Sequence, residues 1–90
     1  MRRRAVEWLD LPAEVLLDVP RIEAVGRFQV RLTNHRGLER FESNQVVVRL
    51  PGGDGFVIIR GRDLVIGWIN PEELLVTGQI IEIQFEGVHV

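Results

Sequence analysis

From Arg21 onward apolar and polar positions alternate with a period of two: Ile22, Ala24, Phe28, Val30 and Leu32 against Glu23, Arg27, Gln29, Arg31 and Thr33. Successive side chains of a strand point to opposite faces, so the alternation predicts a strand with one dry and one wet face. Asn34-His35-Arg36-Gly37 predicts a reversal, with Leu38 to Glu42 returning along the same strand. Two hairpin registers fit: a type I turn with Gly37 in a G1 bulge, or a two-residue Arg36-Gly37 loop. The two-residue loop sets Leu32 opposite Phe41 and Arg31 opposite Glu42. The other aims Arg40 at the core beside Leu32, so the pattern favours the two-residue loop.

Val46 to Leu50 and Phe56 to Arg60 predict a further hairpin, joined by the glycine-rich Pro51-Gly52-Gly53-Asp54-Gly55. Leu64 to Ile69, a turn at Asn70-Pro71-Glu72, Leu74 to Thr77 and Gln79 to Phe85 complete the strand set. At the other end, residues 1–10 read as a flexible arm. Leu11 to Asp18 reads as a short helical segment, capped by Asp10 and stopped by Pro20.

An imperfect repeat is visible when Val57-Ile58-Ile59-Arg60-Gly61-Arg62-Asp63-Leu64-Val65-Ile66 is laid over Leu74-Leu75-Val76-Thr77-Gly78-Gln79-Ile80-Ile81-Glu82-Ile83. Each copy is strand, glycine corner, strand, and glycine within such a pattern marks a bulge or bend. Two copies predict a curled sheet better than a solenoid. The fold expected is therefore one all-β domain over residues 1–90. It is a small curled antiparallel sheet, whether a roll, a partly open barrel or a sandwich, with the short N-terminal helical segment beside it.

Val46 to Val48, Phe56 to Ile59, Leu64 to Ile66, Leu74 to Val76 and Ile80-Ile81 are apolar on both faces. Strands of that kind are normally covered on both sides, and one short helical segment is too little cover for all of them. The sheet must close on itself, or meet another copy or another protein. Val57, Ile59, Val65 and Leu75 sample the candidate contact surface.

Composition narrows the possible partners. Hydrophobic residues make up 46% and charged residues 27% of the chain, the balance of a folded domain, and a net charge of −2 argues against whole-surface attraction to nucleic acid. With no cysteine there is neither a disulfide framework nor a thiolate metal site, which suits a reducing cytoplasm. Acidic residues interrupt the arginine-led start, as no signal peptide would allow, and no apolar run reaches the length of a membrane span.

The candidate chemistry is thin. The turn Asn34, His35, Arg36, Gly37, with Glu39 nearby, is the grouping best suited to holding an anion or moving a proton, but turn formation explains those residue types more simply. His35 and His89 are far apart with no cysteine, so no metal site is expected, and Asp54 lacks the further oxygen ligands of a calcium loop. Glu72 and Glu73 point to opposite faces of a strand and form no acid pair. An arginine-bearing sheet face, with Arg31, Arg36 and Arg40 beside His35, is the alternative reading as a nucleic-acid or anionic-ligand module. Interspersed Glu23, Glu39 and Glu42 and the lack of interleaved aromatics weigh against it. No catalytic residue, cofactor or small-molecule substrate is expected.

The ordered set Leu11-Pro12-x-Glu14-Val15-x-Leu17-Asp18-x-Pro20-Arg21-Ile22, then Asn34-His35-Arg36-Gly37-Leu38, then Ile59-Arg60-Gly61-x-x-Leu64-Val65-Ile66 and Glu72-Glu73-Leu74-x-Val76-x-Gly78-x-Ile80, resembles the YabP/YqfC family of sporulation proteins, on its YqfC side. The likeness spans Trp8 to Phe85 and excludes the arginine-rich start. The resemblance implies a non-enzymatic structural or adaptor protein of endospore formation, made in the cytoplasm of the mother cell and peripheral to a membrane. It also implies a membrane-protein partner of the YqfD type, beside the homo-oligomer that the two-faced apolar strands suggest, and it supplies no catalytic or ligand residues.

Overall fold

The computed structural model describes residues 18–53 and 55–87. The expected arm and helical segment lie outside the described residues, apart from Asp18. Six strands follow in order: β1 (Arg21–Val25), β2 (Gln29–Thr33), β3 (Leu38–Glu42), β4 (Gln45–Arg49), β5 (Phe56–Ile69) and β6 (Glu73–Glu86). They form one antiparallel sheet in the order β1-β2-β6-β5-β4-β3. The sheet is curled but not closed, because β1 and β3 stand at its two margins without pairing to each other.

The all-β class, the β4–β5 hairpin and the Asn70 turn agree with the sequence. Asn70 holds its turn by accepting the amides of Glu72 and Glu73 on its side-chain oxygen, at 2.9 and 2.7 Å. Two expectations are corrected. The stretch Arg21 to Thr33 is not one strand but the hairpin β1–β2, turning at Gly26 to Phe28. Ala24 lies opposite Val30 and Ile22 opposite Leu32, so the apolar side stays in step across the reversal and alternation alone does not reveal it. The hairpin expected at Arg36-Gly37 does not form. β3 pairs with β4, and the Leu32–Phe41 and Arg31–Glu42 pairs do not exist, since Phe41 faces Val46 and Arg31 faces Glu23 and Leu75.

β5 and β6 are long because each serves two neighbourhoods. The first part of β5 pairs with β4 and the first part of β6 with β2, while among the described residues the second part of each is flanked only by the other. The molecule thus has a β1–β2 end and a β3–β4 end, joined through the middle of the β5–β6 hairpin. The repeat read in the sequence is the trace of this arrangement. Val46 opposite Ile59 and Val48 opposite Val57 at one end reproduce Val30 opposite Val76 and Leu32 opposite Leu74 at the other. The amide of Gly61 donates to Asn44 O and that of Gly78 to Phe28 O, both at 3.1 Å. The two ends are related by an internal approximate two-fold.

The glycines at the crossing are required. A Cβ on Gly61 would run into the carbonyl oxygen of Gln79, and one on Gly78 would lie 2.7 Å from that of Asp63, at a φ of +137° that favours glycine. Register shifts between Arg60 and Gly61 and between Arg62 and Val65 bend the hairpin at this point. The bend folds the sheet over, so inward side chains from both ends meet in one core. Val30, Leu32, Leu74 and Val76 join Val46, Val48, Val57 and Ile59, with Leu64 and Ile80 among them. Each such side chain contributes about 1.5–3 kcal/mol on burial.

Candidate interaction surface

The Asn34-His35-Arg36-Gly37 segment crosses from one end of the molecule to the other, and its polar atoms are spent on doing so. The Asn34 amide donates to Glu72 O at 2.6 Å, and the Arg36 amide and Gly37 carbonyl pair with the backbone of Arg49, both at 2.8 Å. His35 is 4% exposed. Its Nδ1 accepts the Gly37 amide at 2.9 Å, which leaves Nε2 as the protonated nitrogen, donating to Asn70 O at 2.9 Å. Both ring nitrogens are engaged by backbone, while Glu39 is paired with Arg49. The segment is a clasp tying the β5–β6 turn to the end of β4.

Arg36 and Asn34 extend the clasp to the preceding chain. Arg36 pairs with Asp18 at 2.7 Å and donates to Asn34 Oδ1 at 2.9 Å, while Asn34 Nδ2 donates to Val19 O at 3.0 Å. Asp18 and Asn34 both adopt left-handed backbone, φ +54° and +66°, a conformation that Asn and Asp tolerate better than most side chains. These links account for the spacing of the Asp18 and Asn34-to-Gly37 blocks.

The arginines are spread over the molecule rather than gathered. Arg31 lies on the outer side of the β1–β2 end, its guanidinium 5.7 Å from the centre of the Trp68 ring. Arg40 faces Val47 on the outer side of the β3–β4 end. Arg49 is paired with Glu39, and Arg60 reaches Glu82 and Gln84 at 3.5 and 2.5 Å. Arg31, His35, Arg36 and Arg40 are therefore not assembled into one cationic face. Among the described residues no group of acidic or histidine side chains is placed to hold a metal ion, and no helix is long and apolar enough to cross a membrane.

The four sampled contact residues are divided by the pleat. Val57 and Ile59 point inward and are fully buried in the core, so they present no area to a partner. Leu75 points outward yet is nearly covered, lying opposite Arg31 and Trp68 and against the bare backbone of Gly67. Val65 points outward and is 54% exposed. The structure also exposes apolar residues that the sequence did not single out: Trp68 and Ile69 further along β5 and, beyond Thr77 and Gln29 on the outer side, Val25 at the margin of β1. Phe41, Ile81 and Phe85 are exposed toward the other end. Their exposure follows from lying on marginal or half-flanked strands, a property that apolar runs in sequence do not encode.

The YabP family model matches residues 18–90, a span that includes every described residue. The chain is also 42% identical over 77 residues to the uncharacterized protein YqfC of Bacillus subtilis (strain 168), an alignment covering 86% of this chain and 81% of that protein. No solved structure matches the chain. With the matched span running through the clasp, the crossing glycines and both long strands, the chain belongs to the YabP family, in which its relative YqfC has no characterised activity.

Proposed function

We propose that this protein is a non-enzymatic structural or adaptor component of endospore formation that works by contact, through self-association or by docking on a membrane-associated partner. Membership of the YabP family supports the sporulation part of this reading. The observation that carries the contact reading is the exposed apolar end of β5, with Val65 and Trp68 on its outer side and Ile69 on its inner side, left open to solvent on a small domain. Exposed apolar area concentrated in one place marks an interaction site more often than a solvated face. The polar residues with the best credentials for chemistry are meanwhile occupied in the clasp. The mother-cell cytoplasm is the compartment that fits a cysteine-free member of this family.

The test is genetic. In Bacillus subtilis lacking YqfC, this chain is supplied either unchanged or as the Val65→Glu, Ile69→Glu double variant, and heat-resistant spores are counted. The unchanged chain is expected to restore spore counts, and the double variant, at equal protein level, to leave them at least tenfold lower. Full spore counts without either protein overturn the sporulation reading. Full restoration by the double variant overturns the contact reading.

A further inference from the structure

We propose that His35 is a proton-operated latch. Neutral, it fastens the β2–β3 crossing to the β5–β6 turn; protonated, it lets go and frees that turn from the β4 end. The latch stands on its own bonds, and only its bearing on assembly rests on the contact reading.

The two partners of the ring fix its protonation state. A backbone amide only donates and a backbone carbonyl only accepts. The Gly37 amide against Nδ1 and Asn70 O against Nε2, each at 2.9 Å, therefore admit one form, the neutral ring with its proton on Nε2. An imidazolium is a donor at both nitrogens. Protonation sets N–H against N–H at Gly37 and leaves that amide without an acceptor. His35 is also the one buried polar side chain among the described residues, so the new charge is held away from water.

The charged groups on the surrounding elements are engaged elsewhere. Arg36 beside the ring is paired with Asp18, Arg49 at the end of β4 with Glu39 of β3, and Arg21 at the start of β1 with Glu23. On the β5–β6 turn Glu72 and Glu73 donate their amides to Asn70 Oδ1, and neither carboxylate bonds the ring. A protonated His35 thus gains no ion pair in place of the bond it loses.

The place of the ring turns that loss into a movement. The crossing is held to β4 through the Arg36 amide and the Gly37 carbonyl, and to the turn through the Asn34 amide on Glu72 O. The His35 ring joins the two sides, with Nδ1 on Gly37 and Nε2 on Asn70. Asn70 directly follows the exposed apolar end of β5, Trp68 and Ile69, so releasing the ring loosens the segment assigned to contact. Histidine changes charge between about pH 5 and 8. The bonded form is the neutral one, so the latch is closed at the upper end of that range and opens as pH falls through it.

The test follows the purified chain by nuclear magnetic resonance from about pH 8 to about pH 5.5, where Asp and Glu stay largely ionised. Ring-nitrogen spectra at the upper end are expected to show His35 as the Nε2–H form. Amide protection at Gly37 and Asn34, corrected for the intrinsic effect of pH on exchange, is expected to fall at least tenfold on acidification while Val30 and Val57 stay protected. His35→Gln, which has no proton to gain, is expected to lose this pH dependence. Should that variant not fold, the tautomer and the wild-type exchange decide alone. A neutral ring protonated on Nδ1, equal protection at both ends of the range, or an undiminished pH response in folded His35→Gln overturns the proposal. A failed latch beside sporulation that depends on Val65 and Ile69 leaves the contact reading standing. A working latch in a chain whose sporulation ignores those residues does the reverse.

Discussion

The second part of β5 and the second part of β6 occupy equivalent places in the internal two-fold, and they are finished differently. Among the described residues each leaves the bend as an edge strand flanked only by its partner in the hairpin. β6 alternates Glu82, Gln84 and Glu86 with Ile83 and Phe85, the ordinary composition of an edge that must stay unpaired. β5 runs Val65-Ile66-Gly67-Trp68-Ile69 with no charge. The backbone is thus duplicated while the surface is not. Inward positions are constrained alike at both ends, because they fill a common core. Outward positions answer to solvent or to a partner, and there the copies have diverged.

Substitutions at matched places in the two ends test this asymmetry. The largest effects belong to the shared core. Leu74→Ala removes a fully buried side chain and is expected to cost about 2–5 kcal/mol in denaturant unfolding. Val57→Ala, its counterpart at the other end, is expected to cost less in proportion to its size. Both unfolding curves should remain single transitions, and a transition confined to one end would mean that the ends are independent.

Next come the crossing glycines. Gly78→Ala places a side chain at φ +137° against Asp63 O, and Gly61→Ala drives one into Gln79 O. Each is expected to lower stability by about 1–3 kcal/mol by the same assay. Indifference at either site would show that the two crossings are not equivalent.

His35→Ala leaves the Gly37 amide and the Asn70 carbonyl without their side-chain partner, a loss of about 1–3 kcal/mol. Amide exchange should quicken at Gly37 while the β1–β2 amides stay protected. Uniform protection would mean that the clasp holds nothing.

The smallest effects separate the two edges directly. Trp68→Ala gives up the Arg31 contact, about 0.5–1 kcal/mol, and uncovers Leu75. Phe85→Ala, at the equivalent edge and 62% exposed, is expected to stay within about 0.5 kcal/mol of wild type. Thermal melts of the two variants side by side decide this, and equal losses would remove the asymmetry.

Much of the fold was legible where the signal is local. The β4–β5 hairpin follows from two apolar runs and a glycine-rich loop, the Asn70 turn from its residue types, and the duplicated strand–glycine–strand units from direct superposition of the sequence. The pairing of β1, β2 and β3 was not legible. A reversal at Gly26 to Phe28 preserves the inward parity, and the segment Asn34 to Gly37 has the composition of a hairpin turn. The site was legible only in outline. Val65 was read as a contact residue, but Val57 and Ile59 share its apolar character and lie in the core.

That this chain is all-β, that its strands bend at glycine, and that it carries more two-faced apolar strand than one sheet side hides all follow from the order of its residues. Period, turn chemistry and glycine placement are properties of neighbouring residues, and they act before the chain has met itself. Which strands pair, that His35 closes a clasp, and which apolar side chains are left outside emerge only when the whole chain packs. Those outcomes depend on residues far apart in the chain competing for the same backbone partners and the same buried volume.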